Sequence, residues 1–492
     1  MKSCQLGLGF NRFLFIFSWL LGFGLGGFGS SGSAGYRISI DLPAYTPQRG
    51  AREKNRFSAE DSFLKNEARA RNEKKGKIVD YSWFVYYAEA MRPRDENFRS
   101  VFIYSDEMAQ FEYSPTHPFK PVRARLTIDL CRRYGLIERP WIRIVKPEPL
   151  GYEILADFHD PAYLKMMKDL DSASVANELW PDMIRSGGSD YLTVDPKILR
   201  FGLGTEDNPI FSGMYDYSAL AAGATFLGAR MLAGGEAQAA FNPLGGFHHA
   251  GRDHAEGFCY LNDVAIAINH LLKQGLRIAF VDIDAHHCNG VQDAYYRDPR
   301  VLVVSFHESG KDLYPWSGFE NEIGEGEGKG YNVNVPLPQN TDDDAFIRAF
   351  SEVIPPLLSA YSPDLVIAEL GADTHVSDPL THLSMTNAGY CEAVKKLKDF
   401  SPRILALGGG GYDVFKTARS WTLAWGILND LEPRDEYVGL VGGMMFGPEM
   451  EVGSLQDKTV YIKGTTREQV NREVERVLAY IRENVFPIHK IT

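Results

Sequence analysis

The apolar positions of this chain fall into short runs that alternate with longer stretches of helical periodicity. Runs rich in β-branched and aromatic residues predict strands at 101–104, 277–281, 301–306, 364–370 and 403–407. Apolar spacing predicts three helices. The first ends near Tyr134, the second covers 217–232 and the last covers 467–483. Buried strands that alternate with helices form parallel sheets. The pattern therefore predicts an α/β fold in three layers, with a central, mainly parallel sheet flanked by helices.

The N-terminal residues lack this alternation. Residues 13–28 are almost wholly apolar, Lys2 and Arg12 precede them, and small residues follow over 29–35. This layout is typical of a secretory signal, and a transmembrane helix is the lesser alternative because the run is short and rich in glycine. Another interpretation is that translation starts at Met91. We expect a cytoplasmic protein, with export through the leader as the alternative.

Composition divides the chain further. The segment after the leader is rich in Arg, Lys, Glu and Asn with few large apolar residues, which is typical of a linker. With 492 residues, 44% of them hydrophobic, the chain can bury one large core and still have extensions. We expect an apolar leader at 1–35, a charged linker at 36–98, a principal domain at 99–432 and a C-terminal extension with the final helix at 433–492.

Charge and cysteine content exclude several classes of protein. The formal net charge of −12 and the pI near 5.6 argue against general affinity for nucleic-acid backbones or anionic lipids. The cysteines are odd in number and never form a Cys-x-x-Cys pair, which argues against a disulfide framework and a structural zinc finger. They are Cys4, Cys131, Cys259, Cys288 and Cys391.

Carboxylates and imidazoles cluster at the end of the run 277–281. Asp282, Asp284 and His286 alternate there, and alternate side chains of a strand point to the same side of the sheet. An aspartate and a histidine together suit zinc or another divalent transition metal better than calcium or magnesium. The alternative is an aspartate that caps the next helix beside exposed histidines, but charged groups on an apolar strand are costly without partners. We expect a metal site.

The third metal ligand must come from another strand. Asp373 follows the run 364–370, and the carboxyl ends of parallel strands meet at one edge of the sheet, where ligands gather. His375 and His382 are alternatives, but Asp373 comes first after the strand. These ligands would leave a coordination position for water and a substrate carbonyl.

A pair of histidines can supply proton transfer at this edge. His248 and His249 follow glycines, which let the backbone run close to a ligand. Asp282 and Asn289 are suited to orient the two rings, because a ring nitrogen bonded to a fixed acceptor sets the tautomer of the other nitrogen. Two exposed loop histidines are the alternative.

The last component is the glycine run 408–411 followed by Tyr412. No lysine follows the glycines as a phosphate-binding loop would require, so the run is interpreted as backbone that brings the Tyr412 hydroxyl over a metal. Metal, histidines and tyrosine together predict a hydrolytic site for amides.

Six blocks, in this order over about 102–428, resemble the zinc-dependent histone deacetylase superfamily, with the bacterial acetoin-utilisation type as the expected branch. The blocks are His-Pro-x-Lys-Pro-x-Arg at 117–123, Gly-Gly-Phe-His-His-Ala from 245, Gly-Phe-Cys-Tyr-Leu-Asn-Asp from 257, Asp-Ile-Asp-Ala-His-His from 282, Gly-Ala-Asp-Thr from 371 and the glycine run that ends in Tyr412.

The resemblance implies an arginase/deacetylase-like fold and hydrolysis of acetyl-lysine on proteins, with release of acetate. It implies that His248 and His249 handle protons, with His249 the general base, and that Tyr412 polarises the acetyl carbonyl. One zinc ion per chain would be bound by Asp284, His286 and Asp373.

The resemblance also implies substrate contacts. Gly257, Phe258 and Tyr314 match the channel that grips an acyl-lysine chain, Asp207 matches a rim carboxylate that holds substrate backbone, and Arg123 matches the arginine of an acetate exit path. A structural potassium ion is expected at Asp282, Asp284, His286, Ser305 and Phe306.

The chain departs from the family pattern at several positions. Cys288 and Asn289 stand where many relatives have glycine and aspartate, so the orienter of His249 would be neutral. Tyr314 replaces a more usual phenylalanine, and Glu369 replaces a common glutamine. The glutamate would alter the charge near the metal.

Other functions compete with deacetylation of proteins. Arginases and agmatinases bind two manganese ions and need a further carboxylate pair, whereas 371–373 contains the single carboxylate of Asp373, so one metal is predicted. A non-catalytic acyl-lysine binder would not need Tyr412 as an oxyanion donor. Acetylpolyamines and other short acyl amides are the alternative substrates, direct nucleic-acid binding is not expected, and no oligomeric state is predicted.

Overall fold

The computed structural model describes residues 99–175, 195–433 and 455–492. The expected apolar leader and charged linker lie outside the described residues, and so do residues 434–454 of the expected C-terminal extension.

The strands within the described ranges form one eight-stranded sheet. They are β1 (Ser100–Ile103), β2 (Ile142–Val145), β3 (Ala239–Asn242), β4 (Ile278–Asp282), β5 (Val301–Glu308), β6 (Asn332–Leu337), β7 (Leu365–Glu369) and β8 (Ile404–Leu407). Their order across the sheet is β2-β1-β3-β8-β7-β4-β5-β6, and all neighbouring strands are parallel. The expected α/β class with a central parallel sheet is confirmed.

Helices connect the strands and cover the sheet. They are α1 (Val122–Arg133), α2 (Tyr152–Leu155), α3 (Pro161–Val175), α4 (Pro196–Leu199), α5 (Met214–Ala233), α6 (Asp263–Lys273), α7 (Asn289–Tyr295), α8 (Asp343–Tyr361), α9 (Asn387–Phe400), α10 (Val414–Leu428) and α11 (Gly464–Asn484). Short 3₁₀ turns lie at Asp106–Ala109 and Gly326–Gly328. The helices predicted to end near Tyr134 and to cover 217–232 and 467–483 are confirmed as α1, α5 and α11.

The central strands form because their sequences are apolar on both faces. Every residue of β4, β5 and β7 is buried, as expected for parallel strands with helices on either side. All five predicted strands are confirmed, as β1, β4, β5, β7 and β8. The strand pattern did not indicate β2, β3 or β6.

The strand order places the candidate residues together. β3, β8, β7 and β4 are consecutive neighbours, and each is followed by one of the segments that carry candidate chemistry. Because parallel strands end at the same edge of the sheet, these four loops meet over the centre of the sheet.

The C-terminal helix α11 packs on the main body through its apolar side. Val470, Val474 and Ile481 are buried, and ion pairs join Arg348 to Glu475 at 3.0 Å and Arg482 to Glu352 at 2.7 Å. Among the described residues, each helix is too short or too polar to cross a membrane.

Candidate active site

Asp284, His286 and Asp373 come together at the carboxyl ends of β4 and β7. His286 Nδ1 lies 3.1 Å from Asp284 Oδ1 and 2.9 Å from Asp373 Oδ2. One donor atom of each residue lies within 4.8 Å of the others, and all three side chains are buried. The geometry therefore allows these residues to hold one metal ion.

Backbone hydrogen bonds, rather than strand alternation, hold this group in place. The expectation that Asp284 and His286 continue the strand is wrong, because β4 ends at Asp282. The turn that follows is closed by the N–H groups of Asp284 and His286, which donate to Asp282 Oδ1 and Asp284 Oδ1 at 2.8 Å. Gly410 N–H donates to Asp284 Oδ2 at 2.6 Å. The carboxylates are thus fixed before any ligand binds.

The charges of the group fit a divalent transition metal. Burial and the charge of Asp284 raise the pKa of Asp373 to about 7. Burial alone would lower the pKa of His286, but its hydrogen bonds to Asp284 and Asp373 raise it to about 10. The two buried carboxylates thus favour a positive charge between them, which a bound cation would supply in place of the imidazole proton. Two carboxylates and one imidazole are a donor set that zinc accepts.

His248 is held between two buried carboxylates. Its Nδ1 lies 2.8 Å from Asp282 Oδ2 and 2.9 Å from Glu369 Oε1. Burial opposes the charged form, but the charges of Glu369 and Asp282 outweigh it and raise the pKa of His248 well above its ordinary value. His248 is therefore the protonated member of the histidine pair.

His249 has the opposite surroundings. Its Nδ1 lies 2.7 Å from Asn289 Oδ1, and because an amide oxygen only accepts, Nδ1 carries the proton. Its Nε2 lies 3.0 Å from His248 Nε2. Burial, followed by the charges of His248 and His286, holds the pKa of His249 well below its ordinary value. His249 is thus neutral, with an unprotonated Nε2 that can accept a proton.

Glu369 is a site residue whose contact with His248 the sequence did not predict. It ends β7 beside Asp282 of β4, its neighbour in the strand register, and its side chain is fully buried. The sequence does show a carboxylate at the end of this apolar strand, as a departure from the family pattern. It does not show that this carboxylate contacts His248.

Tyr412 follows the glycine run after β8 and is half-buried. Its ring centroid lies 6.1 Å from that of His286 and 5.8 Å from that of Phe258. Burial and the nearby carboxylates, Asp373 first, raise the pKa of Tyr412 well above its ordinary value, so its hydroxyl keeps its proton. A Cβ at Gly410 would lie 2.1 Å from Asp373 Oδ2, which shows why the loop needs glycine to approach this carboxylate so closely.

The expected channel residues lie around this centre. Phe258 lines the pocket with His248, His249 and Tyr412, and the Tyr314 ring lies 5.3 Å from that of His249. Gly257 lies against His249, since a Cβ there would meet the imidazole at 2.5 Å.

Arg123 and Asp207 lie further out. The Arg123 guanidinium is buried and donates to the carbonyl oxygens of Gly409 at 2.6 Å and Gly411 at 2.8 Å, so it supports the glycine run from below. Asp207 is exposed, and its carbonyl oxygen accepts from His117 Nε2 at 3.2 Å.

The alternative ligands and the cysteines have other partners. His375 Nε2 lies 2.8 Å from Ser420 Oγ, and His382 Nδ1 lies 2.9 Å from Glu308 Oε1. Cys259 and Cys288 are buried, and burial raises the pKa of both thiols, which argues against redox activity.

Two of the residues expected at the potassium site are neighbours in the sheet. Asp282 of β4 pairs in register with Ser305 of β5, and Phe306 follows Ser305. The Ser305 hydroxyl lies 2.8 Å from His307 Nδ1.

Comparison with known proteins identifies the family. A sequence model described as "Histone deacetylase domain" matches residues 117–428. The chain is 34% identical over 394 residues to histone deacetylase 2 of Oryza sativa subsp. japonica, covering 79% of this chain and 71% of the relative. It is 37% identical over 338 residues to histone deacetylase B of Dictyostelium discoideum, covering 69% of this chain and 75% of the relative.

Solved structures agree with the sequence relatives. The crystal structure of an HDAC homolog from Aquifex aeolicus matches with a TM-score of 0.64 and 30% identity, over 77% of this chain and all of that chain. The expected arginase/deacetylase-like fold is confirmed. The acetoin-utilisation branch stays a prediction, since the two sequence relatives named above are histone deacetylases of a plant and an amoeba. The chain belongs to the histone deacetylase family.

Proposed function

We propose that the protein is a zinc-dependent deacetylase that hydrolyses the amide of acetyl-lysine on proteins and releases acetate. The observation that carries the proposal is the division of charge at one pocket. A neutral His249 with an unprotonated Nε2, a cationic His248 and a protonated Tyr412 surround a buried group of side chains that can bind a metal.

The residues of the pocket divide the work of amide hydrolysis. Asp284, His286 and Asp373 would hold zinc, which when bound polarises the acetyl carbonyl and makes water more acidic. His249 accepts a proton at Nε2 from the water that attacks the carbonyl carbon. The Tyr412 hydroxyl donates a hydrogen bond to the oxygen that gains negative charge. The same proton then passes from His249 to the leaving amine nitrogen as the C–N bond breaks.

His248 keeps its charge throughout these steps. Because both of its facing carboxylates are buried, its proton is stabilised at Nδ1, and its positive charge favours the negative transition state. It also orients His249, whose Nε2 lies 3.0 Å away. Asp282 is in this scheme the orienter of His248, and Asn289 the orienter of His249.

The surroundings of the pocket support an acyl-lysine substrate. Phe258 and Tyr314 would enclose the aliphatic chain, Asp207 would hold substrate backbone at the rim, and Arg123 would belong to the path by which acetate leaves. A potassium ion beside Ser305 would stabilise the turn after β4. Acetylpolyamine is the second candidate substrate, favoured by the exposed carboxylate of Asp207.

Replacement of Tyr412 tests the proposal. Tyr412→Phe keeps the ring but removes the hydrogen bond to the oxyanion, so kcat on acetyl-lysine peptides should fall by about 10²–10³ while zinc content stays unchanged. The kcat and the zinc content are measured on zinc-loaded protein, and acyl-lysine peptides are compared with acetylpolyamines as substrates.

A second tyrosine provides the matched control. The Tyr361 hydroxyl bonds the Pro299 carbonyl at 3.4 Å, on another part of the fold, so Tyr361→Phe should keep full activity. Undiminished turnover in Tyr412→Phe would refute the role of Tyr412, and turnover confined to acetylpolyamines would replace the protein substrate by the second candidate.

A further inference from the structure

Three positions around His249 form one hydrogen-bonded group. The Tyr314 hydroxyl donates to Glu256 Oε1 at 2.8 Å, and a weaker hydrogen bond from the Asn289 side chain contributes least among the groups that lower the pKa of the Glu256 carboxyl. Asn289 Oδ1 in turn accepts from His249 Nδ1 at 2.7 Å. Asn289 and Tyr314, two of the departures from the family pattern, are thus joined by a carboxylate that the sequence did not single out.

An asparagine behind a histidine creates a problem that an aspartate does not. Both carboxylate oxygens accept hydrogen bonds, whereas an amide presents oxygen on one side and NH₂ on the other. If the amide turned over, its NH₂ would face His249 Nδ1 and the ring proton would have to move to Nε2. His249 would then lose the free nitrogen that acts as a base. The side chain of Asn289 therefore needs something that fixes its orientation.

Glu256 is in position to do so. A carboxylate only accepts hydrogen bonds, so it pairs with the NH₂ side of Asn289 and leaves the amide oxygen to His249. We propose that Glu256 is a positioning residue, which rests on the proposed hydrolysis: its carboxylate locks the Asn289 amide and so keeps the His249 proton on Nδ1. Through the same amide it adds negative charge behind the imidazole, as an aspartate at 289 would do directly.

The surroundings of Glu256 keep its carboxylate in this role. Tyr314 holds one oxygen, and His254 Nε2 lies 3.4 Å from the other. Burial would raise the pKa of Glu256, but hydrogen bonds from His254 and Tyr314 lower it below its ordinary value. Gly257, whose Cβ would clash with His249, lets the backbone bring Glu256 close to the pair. The Tyr314 hydroxyl thus holds the carboxylate of Glu256.

A double-mutant cycle tests the inference on the full-length, zinc-loaded protein. Glu256→Gln can donate as well as accept, so it no longer fixes the amide, and kcat should fall about tenfold or more because a general base contributes roughly 10²–10⁴-fold. In an Asn289→Asp background there is no amide to orient, so Glu256→Gln should not lower kcat. It could raise kcat, because the glutamine replaces one of two neighbouring carboxylates and removes their repulsion. KM should change little in either background.

Two controls separate this role from others. Glu325→Gln alters an exposed acid that pairs with Arg297 Nη2 at 2.8 Å and has no contact with Glu256 or His254, so it should keep full activity. Equal losses of kcat from Glu256→Gln in both backgrounds, or a change confined to KM, would overturn the inference, because Glu256 would then act on the substrate and not through Asn289. Thermal unfolding of each variant checks that the fold is retained.

A spectroscopic measurement tests the lock without turnover. In protein labelled with ¹⁵N-histidine, the ring of His249 should carry its proton on Nδ1 in the wild type and at least partly on Nε2 in Glu256→Gln. If the tautomer of His249 is the same in the wild type and in Glu256→Gln, the inference is overturned, even if the kcat of the variant falls. If the wild type hydrolyses no acyl amide, the proposed function fails, and the tautomer still decides the role of Glu256.

Discussion

Two pairs of buried histidines lie at the carboxyl edge of the sheet. The rings of His248 and His249 lie 4.1 Å apart, and those of His287 and His307 lie 4.8 Å apart. All four side chains are almost completely buried. The pairs differ in the groups behind the rings.

In the first pair carboxylates contact one ring, that of His248, whereas the partners of the second pair are all neutral. His287 bonds Ser317 Oγ at 2.9 Å and Gln292 Oε1 at 3.0 Å, and His307 donates from Nε2 to the Gly318 carbonyl at 2.8 Å. Burial lowers the pKa of His287 well below its ordinary value and that of His307 to about 4.

Burial alone therefore does not decide the charge of a histidine here. With carboxylates on one ring only, the first pair holds a cation beside a neutral base, which is what proton transfer requires. In the second pair both rings stay neutral and every ring nitrogen is bonded to a group outside the pair, which stabilises the fold. In the first pair His249 Nε2 has only the neighbouring His248 ring as its partner.

The largest predicted effect follows from the unprotonated Nε2 of His249. His249→Gln removes the base, so kcat should fall by about 10²–10⁴ while zinc content stays unchanged, because general-base catalysis contributes a factor of that size. The measurement is steady-state turnover of an acetyl-lysine peptide, together with metal analysis.

His307→Gln is the matched variant in the second pair. The glutamine amide can still donate to the Gly318 carbonyl, so the variant should keep most of its kcat and lose stability instead. If both variants lost activity to the same extent, the two pairs would not differ in function and the comparison would fail.

The sequence could predict that Asp284, His286 and Asp373 lie together, because these residues follow apolar strands. Asp284 and Asp373 each come after such a run, and parallel strands end at one edge. β3 escaped prediction because Ala239–Asn242 has only four residues, two of them alanine. β6 escaped because Asn332, Asn334 and Pro336 interrupt its apolar pattern.

The partners of the histidines were harder to predict. Glu369 lies next to Asp282 only because β7 pairs with β4 in a particular register, and a single sequence does not contain that register. Glu256 reaches Asn289 through a loop whose path depends on Gly257 at φ +51°. Residue types and strand ends could be read from the chain, whereas contacts between separate loops required the structure.

The second prediction concerns pH and stability. His307 has its folded-state pKa near 4 and an ordinary pKa of 6.5, so the unfolded chain binds a proton that the folded protein does not. Its contribution is fully present above pH 6.5 and is lost as the pH falls towards 4. The free energy of unfolding should fall by about 1 kcal/mol or more for each pH unit in that window.

Denaturant titrations at several pH values measure this dependence. His307→Gln has no such group, so its free energy of unfolding should depend on pH less steeply, by about one proton between pH 6.5 and 4. Parallel curves for the two proteins would show that His307 is protonated in the folded state and would remove the contrast between the pairs.

The smallest predicted effect compares the single hydrogen bonds behind two rings. Ser317→Ala removes the hydroxyl that donates to His287 Nδ1, which should lower the free energy of unfolding by about 1 kcal/mol and leave kcat unchanged. Asn289→Ala removes the acceptor of His249 Nδ1, and here kcat should fall because the tautomer is no longer set. The same type of change thus affects stability in one pair and catalysis in the other. A loss of kcat in Ser317→Ala as large as that in Asn289→Ala would mean that the second pair also serves the reaction.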